Sequence, residues 1–436
     1  MSDSHILTTC PTVHQRSRLN DALIFSLSLF SFIRIDLIGQ LFVVEAIAGL
    51  LLILIISRRR FRLFLPRAHR VLIILGLVWL LGLILSDVYR ATPWDDRFRG
   101  WFSTTVLLIL FITLYQLIQG DTRRVYLLLF GTAAGKLIGG FLMPTDLAQA
   151  DAWKFAFGGG IALVLVSWVG MTTWKAGHIS PFGLLSLFAF GSFSATLGSR
   201  SLGAFTILTG LVFWFRTTAF GQRLAGKSIG PLRLTLIGIF GLSGLFLISE
   251  VYGLAASEGW LGVSALGKFE EQSLGDFGII LGGRSDLLGA FYAISDSPII
   301  GYGSWAKGHE YRDRLMMLTE LGYAQDISYL QYVIDSDDLI PAHSHIFQAW
   351  VWGGILGLPF WLYALLLIGK SGIQSFQHTH ALAVPVVFLA ITGVWHIFFS
   401  PFGSNMRFHW AMTLIVVLHS ITLITEYRRN ATVKHL

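Results

Sequence analysis

Residues 71–85 read Val-Leu-Ile-Ile-Leu-Gly-Leu-Val-Trp-Leu-Leu-Gly-Leu-Ile-Leu, without one charged side chain. A helix packed in a soluble core shows a polar stripe on its outer side, and this run has none. Runs of this kind recur along the chain at about the 20-residue length that carries a helix across the hydrocarbon layer. They predict membrane helices over 21–36, 38–57, 70–86, 101–119, 125–143, 155–172, 181–198, 202–216, 232–250, 344–369, 380–399 and 408–426. Arg34 and Asp36 interrupt the far end of the first. The expected fold is therefore all-α and polytopic, with about twelve transmembrane helices.

Composition agrees. Of 436 residues, 54% are hydrophobic and 13% charged, with a mean hydropathy of +0.66. A soluble protein carries about a quarter charged residues. The single cysteine, Cys10, excludes an internal disulfide. No small-residue cleavage site follows the first apolar run, which reads as an uncleaved anchor. The net charge of +7 is no nucleic-acid signature, because the basic residues sit in short loops between apolar runs.

Lys and Arg also give a direction. One set of loops and both tails hold 19 basic residues, with Arg58, Arg59, Arg60, Arg62, Arg67 and Arg70 the densest group, suited to anionic lipid headgroups. The opposite short loops hold seven: Arg34, Arg90, Arg97, Arg99, Lys154, Arg200 and Arg407. The excess of basic residues on the cytoplasmic side predicts cytoplasmic tails over 1–20 and 427–436. Helices 1–9 then fill 21–250, an extracytoplasmic loop fills 251–342, and helices 10–12 fill 343–426. That loop carries 13 acidic and 5 basic residues. Within it, 285–295 reads as an amphipathic helix with Ser285 as N-cap and Leu287, Leu288, Phe291 and Ile294 on one face. Residues 311–334 predict another helix, and Gly301-Tyr302-Gly303 is turn material.

Six residues are candidates for chemistry. Arg200, in Gly198-Ser199-Arg200-Ser201, stands at a Gly-rich helix entrance. It either snorkels to the interface or joins the helix N-terminus in binding an anion. Arg284, in Gly282-Gly283-Arg284-Ser285, repeats that arrangement. His343, in Pro341-Ala342-His343-Ser344-His345, stands where the chain re-enters the membrane. A helix N-terminus disfavours imidazolium, which suits a general base as well as an interfacial histidine. His345 is the spare member of the pair, and the two histidines, lacking a third ligand, argue against a metal. Lys136, inside the fifth run, either snorkels or lines a polar path, since an ammonium in lipid is costly. Arg407 sits at another helix entrance. Gly158-Gly159-Gly160 follows no strand and reads as a close helix-packing surface.

Three stretches resemble the O-antigen ligase and Wzy-type polymerase superfamily of bacterial envelope glycosyltransferases. They are Gly198-Ser199-Arg200-Ser201, then Gly283-Arg284 through Pro298-Ile299-Ile300-Gly301-Tyr302-Gly303, and His343 through Gln348-Ala349-Trp350 to Gly353-Gly354-Ile355-Leu356-Gly357. Ser344 and Phe347 stand where the family commonly has Asn and Leu. The resemblance covers about residues 180–400. It implies an inner-membrane enzyme that moves a glycan from an undecaprenyl-diphosphate carrier to an acceptor hydroxyl in the periplasm, with no cofactor. It further implies Arg200 and Arg284 on the diphosphate, His343 as base, and Lys136, Arg407 and His345 along the substrate path. The acceptor is lipid A-core for a ligase and a glycan for a polymerase. A transporter of lipid-linked sugar is the rival of another class, though such proteins usually carry internal repeats, which this sequence lacks.

Overall fold

The computed structural model describes residues 18–37, 39–57, 65–226, 251, 253–260, 266–267, 286–311, 313, 339–340 and 342–434. The expected span over 232–250, Ser285, and the expected helix within 311–334 apart from the helical residues Tyr311 and Asp313 lie outside the described residues.

The described chain is almost entirely helical. The chain opens with α1 (Arg18–Leu29), a hairpin of β1 (Arg34–Leu37) and β2 (Gly39–Phe42), and α2 (Val43–Ser57). Next come α3 (Arg67–Tyr89), α4 (Trp94–Ile118), α5 (Thr122–Leu142) and the short α6 (Asp146–Ala150). A π-helical turn at Trp153–Phe157 leads into α7 (Gly158–Ala176), followed by α8 (Pro181–Thr196), α9 (Arg200–Thr217) and α10 (Ala219–Ala225). The later part holds α11 (Asp286–Asp296), α12 (His345–Gly353), α13 (Leu358–Gln377), α14 (Ala383–Phe399) and α15 (Ser404–Lys434). Among the described residues six helical segments are long and apolar enough to cross a membrane, or seven with α9 and α10 taken as one bent span. Shorter apolar helices include α2, α8 and α14.

Three expectations are corrected. The first two spans do not run on to 36 and back from 38. Arg34-Ile35-Asp36-Leu37 alternates polar and apolar with a period of two, which suits a strand. It pairs antiparallel with 39–42 in the register Arg34↔Phe42 to Leu37↔Gly39. The expected span over 344–369 stands as one of the six, His345–Gln377, but its α-helix is interrupted. The chain leaves α12 at Gly354, makes a 3-10 turn over Gly354–Gly357, and resumes as α13. The amphipathic helix exists as α11 and stops at Asp296 before Pro298, but its buried stripe is Leu287, Ala290, Ala293 and Ile294. Phe291 stays 47% exposed and rests against Phe347 with the two rings tilted by 60°.

A continuous apolar core runs through the bundle, from Ile24, Leu72 and Phe111 to Trp361, Phe388 and Trp410. The helices pack through small residues, as membrane helices do in the absence of a hydrophobic drive between them. Gly191 and Gly203 bring α8 and α9 together so closely that a Cβ on either would stand within 3.0 Å of the other's carbonyl oxygen. Gly160 lies as tightly on Ala133 of α5, the packing role expected of the triple glycine. The outward faces carry Leu50, Ile53, Leu77, Leu185 and Leu366, all more than half exposed, an apolar surface matched to lipid.

A second, smaller core caps one end. Ala290, Ala293 and Ile294 of α11 gather with Ala306, Tyr311, Ile340 and Val351. The cap is closed by backbone pairing of Lys307 with Leu339 and by Ile340 N–H donating to Ala306 O at 2.9 Å. The hairpin, the turn after α3, the cap and the turn between α14 and α15 all share this end, as the contacts below establish.

Candidate active site at the capped end

The break at Gly354 is made by the chain that crosses it. Tyr302 N–H donates to Val351 O at 2.7 Å, Gly303 N–H to Trp352 O at 3.0 Å, and Ile355 N–H to Ile299 O at 3.1 Å. The last carbonyls of α12, which a helix leaves unpaired, are thus satisfied by the extended 299–303 segment. Two of the sequence motifs, separated by about 50 residues, therefore meet backbone to backbone.

The end of α3 holds the same segment from its other side. Arg90 donates through Nε to Gly301 O at 2.9 Å and through Nη2 to Ser297 Oγ at 2.7 Å, with its guanidinium 4.5 Å from the Tyr302 ring centre. Ser86 Oγ donates to Ile300 O. Asp87, fully buried, accepts from Ser304 N–H at 2.6 Å, Ser304 Oγ–H at 2.8 Å and Trp101 Nε1–H at 2.6 Å. Both Asp87 oxygens are used, so in Asp87→Asn an amide N–H must face a donor whichever way it turns. The expected cost is about 1–3 kcal/mol, read as a lower melting temperature with faster proteolysis within 297–311. Unchanged melting would show that the clamp does not depend on the acceptor pair.

Beneath the cap, Tyr311 donates to Asp296 Oδ2 at 2.8 Å and bonds the Tyr302 hydroxyl. Burial first, then these two hydrogen bonds, push the Tyr311 phenol above its ordinary pKa, so it remains a neutral donor.

His343 and His345 have different environments. Ser344 is the N-cap of α12: its Oγ accepts from Phe347 N–H at 3.3 Å and donates to Ile397 O at 2.8 Å. Serine and asparagine are both good N-caps, so the difference from the family pattern leaves this function intact. His343 precedes the cap and is half-buried. His345 is fully buried among Trp361, Phe402 and Trp410, with Nδ1 donating to Ser400 O at 2.5 Å. That bond places the proton on Nδ1 and leaves Nε2 with no hydrogen-bond partner among the described residues. Gln348 exchanges two hydrogen bonds with the Phe402 backbone, accepting at 2.7 Å and donating at 3.4 Å. The His-to-Gln spacing of the motif thus ties the turn between α14 and α15 to the start of α12.

Behind that turn lies a second group of ionisable side chains. His396 bonds Ser400 Oγ through Nδ1 at 2.9 Å, stacks parallel to His345 at 6.2 Å, and meets the His409 ring edge-on at 5.5 Å. Lys136 of α5 is within electrostatic reach of both His396 and His409.

Arg407 forms a buried ion pair with Glu45. Its Nε stands 2.7 Å from Glu45 Oε1, and Nη2 donates to Glu45 Oε2 at 2.9 Å and to Gln40 O at 2.6 Å. Its guanidinium therefore ties α15 to β2 and α2, a structural use that the expected place along a substrate path does not account for. Arg200 opens α9 and is half-buried, behind the buried Ser199. Phe205, further along α9, packs on Trp395 of α14, which brings the start of α9 to the capped end. Arg284 lies outside the described residues.

Compared with family models, curated proteins and solved structures, the chain matches none. The site is thus read from its own geometry. His343, His345 and the Lys136 neighbourhood share one end of the bundle with Arg200, whereas Asp87, Arg90, His396 and His409 were not singled out in the sequence. The two histidines carried a usable signal, since an ionisable residue in an apolar run faces protein interior or cavity by default. Asp87 and Arg90 carried none, because their partners in the 297–304 segment lie more than 200 residues away.

Proposed function

We infer that the chain is an envelope glycosyltransferase of the O-antigen ligase or Wzy-type class, working in the bacterial inner membrane. It moves a glycan from an undecaprenyl-diphosphate carrier to an acceptor hydroxyl on the periplasmic face. In this reading twelve helices cross the membrane, both tails are cytoplasmic, and the capped end with the 251–342 loop faces the periplasm. The acceptor oxygen bonds to the anomeric carbon as the bond from that carbon to the diphosphate oxygen breaks, with inversion. His343 takes the hydroxyl proton, and the diphosphate leaves with the bonding electrons toward Arg200 and Arg284. No metal takes part. Lipid A-core is the acceptor of a ligase, and a second glycan chain that of a polymerase.

The observation that carries the reading is the meeting of Ile299–Gly303 with Val351–Ile355 directly beyond the helix that His343 enters. Two motifs of the resemblance become one structural unit, with the proposed base at its mouth.

The test is transfer from an undecaprenyl-diphosphate-linked glycan to each acceptor by purified protein in EDTA. Wild type is expected to form product, and His343→Ala to lose at least about 100-fold in rate with unchanged melting. Full activity in His343→Ala would remove the base assignment. Donor binding without product from either acceptor would favour the transporter.

A further inference from the structure

We propose that Lys136, His396 and His409 form an anion site inside the bundle near its capped end, built for the phosphate or diphosphate group of a lipid-borne ligand.

Lys136 lies six residues before the end of α5, about 9 Å along the axis at 1.5 Å per residue. Its side chain is exposed by area yet lies within electrostatic reach of His396 and His409, the condition of a side chain that projects into a cleft between helices. His396 and His409 are each half-buried. These side chains come from α5, α14 and α15, and α7 supplies the fourth wall. There Gly159 leaves the ammonium room: a Cβ at that position would stand 3.7 Å from Lys136 Nζ.

No carboxylate among the described residues is paired with this group. Among the described residues Lys136 makes no hydrogen bond and no ion pair, and His396 and His409 have only other histidines, Ser400 and Lys136 as polar neighbours. An enclosed ammonium without a counter-charge is costly at membrane depth, and such residues mark ligand or ion paths. The missing partner is an anion. Three other bundle-end cations illustrate the contrast: Arg407 has Glu45, Lys307 has Asp96 at 3.3 Å, and Arg124 at the opposite end has Asp21 at 2.9 Å. His409 Nδ1 is buried with no hydrogen-bond partner among the described residues, so a ring nitrogen is available to a ligand there. A phosphoryl group, with several acceptor oxygens, suits an ammonium flanked by imidazole N–H groups. The depth below the helix end and the apolar walls favour a phosphate carried on a lipid over one free in water.

This site deepens the function proposed above by adding an anchor for the carrier, but binding alone tests it. Full-length protein in detergent is titrated with a long-chain polyprenyl diphosphate, the corresponding polyprenol and inorganic pyrophosphate. Wild type is expected to bind the diphosphate and not the alcohol. Lys136→Met should bind at least about tenfold more weakly, and Lys136→Arg within about threefold of wild type. Competition by inorganic pyrophosphate at equal strength would support the anion site and assign it to a free anion. Because Lys136 makes no hydrogen bond or ion pair among the described residues, Lys136→Met without ligand should melt no lower than wild type. The proposal falls if Lys136→Met binds the diphosphate as tightly as wild type, if the polyprenol binds equally, or if unliganded Lys136→Met is destabilised. Glycan transfer can fail while this binding succeeds, so the two readings are separable.

Discussion

Gly354→Ala is expected to unfold the capped end of the protein, with a loss of roughly 4 kcal/mol or more. Gly354 has φ +63° and ψ −157°, a conformation that a side chain strongly disfavours. The added methyl would also stand 2.0 Å from Ile299 O and 2.7 Å from the Ile300 carbonyl carbon. These are backbone atoms, so no rotamer change relieves them. To make room, the 299–303 segment must lift, which removes its three hydrogen bonds to 351–355. Backbone strain of about 1–3 kcal/mol then adds to three bonds worth about 0.5–1.5 kcal/mol each. The measurement is thermal unfolding in detergent, with Gly369→Ala as control. Nothing lies within 4 Å of a Cβ at Gly369, so that change in α13 should be neutral or stabilise by about 0.5–1 kcal/mol. If Gly354→Ala melted with the control, the broken span would have to be redrawn as a continuous helix.

Arg407→Ala is expected to cost about 3–5 kcal/mol, because it strands Glu45 as an uncompensated charge inside the bundle. The loss also releases Gln40 O, and with it the attachment of the β1–β2 hairpin to α15. The informative partner is the double variant Glu45→Met with Arg407→Met. Replacing a buried pair by apolar groups of similar volume is often neutral. The double variant should therefore recover most of the melting temperature that either single change loses. A simple sum of the two single losses would show that the pair is not coupled, and that Arg407 is held by other contacts. Preserved donor binding in the double variant would confine Arg407 to architecture.

The membrane helices were legible because hydropathy and length report the lipid environment residue by residue. Thr122–Leu142 and Gly158–Ala176 lie within a few residues of where the apolar runs place them. The break in the later span was not legible in the same way. Hydropathy stays high through Gly353-Gly354-Ile355-Leu356-Gly357, and only the contact with Ile299 makes the left-handed turn worth its strain. The hairpin was written in the alternation of Arg34-Ile35-Asp36-Leu37, but two adjoining apolar runs masked it. At the site, His343 and Gln348 could be found because their roles depend on neighbours along one helix and its entrance. The clamp formed by Asp87 and Arg90 depends on contacts across the fold, for which a single sequence gives no spacing rule. The same holds for the choice between the two histidines. Their i, i+2 spacing separated their directions, and the aromatic enclosure around His345 decided which of them stays reachable.

The pairing of Lys307 with Leu339 has a consequence for how this chain can be altered. The backbone that departs after residue 307 comes back beside it at 339, so everything between passes through a single neck. The entropy of closing that ring changes slowly with its length, by about 0.6 kcal/mol per doubling. A tag or sensor domain is therefore best inserted after Asp313 and before Leu339, which keeps Tyr311 with its bonds to Asp296 and Tyr302 and keeps both sides of the neck.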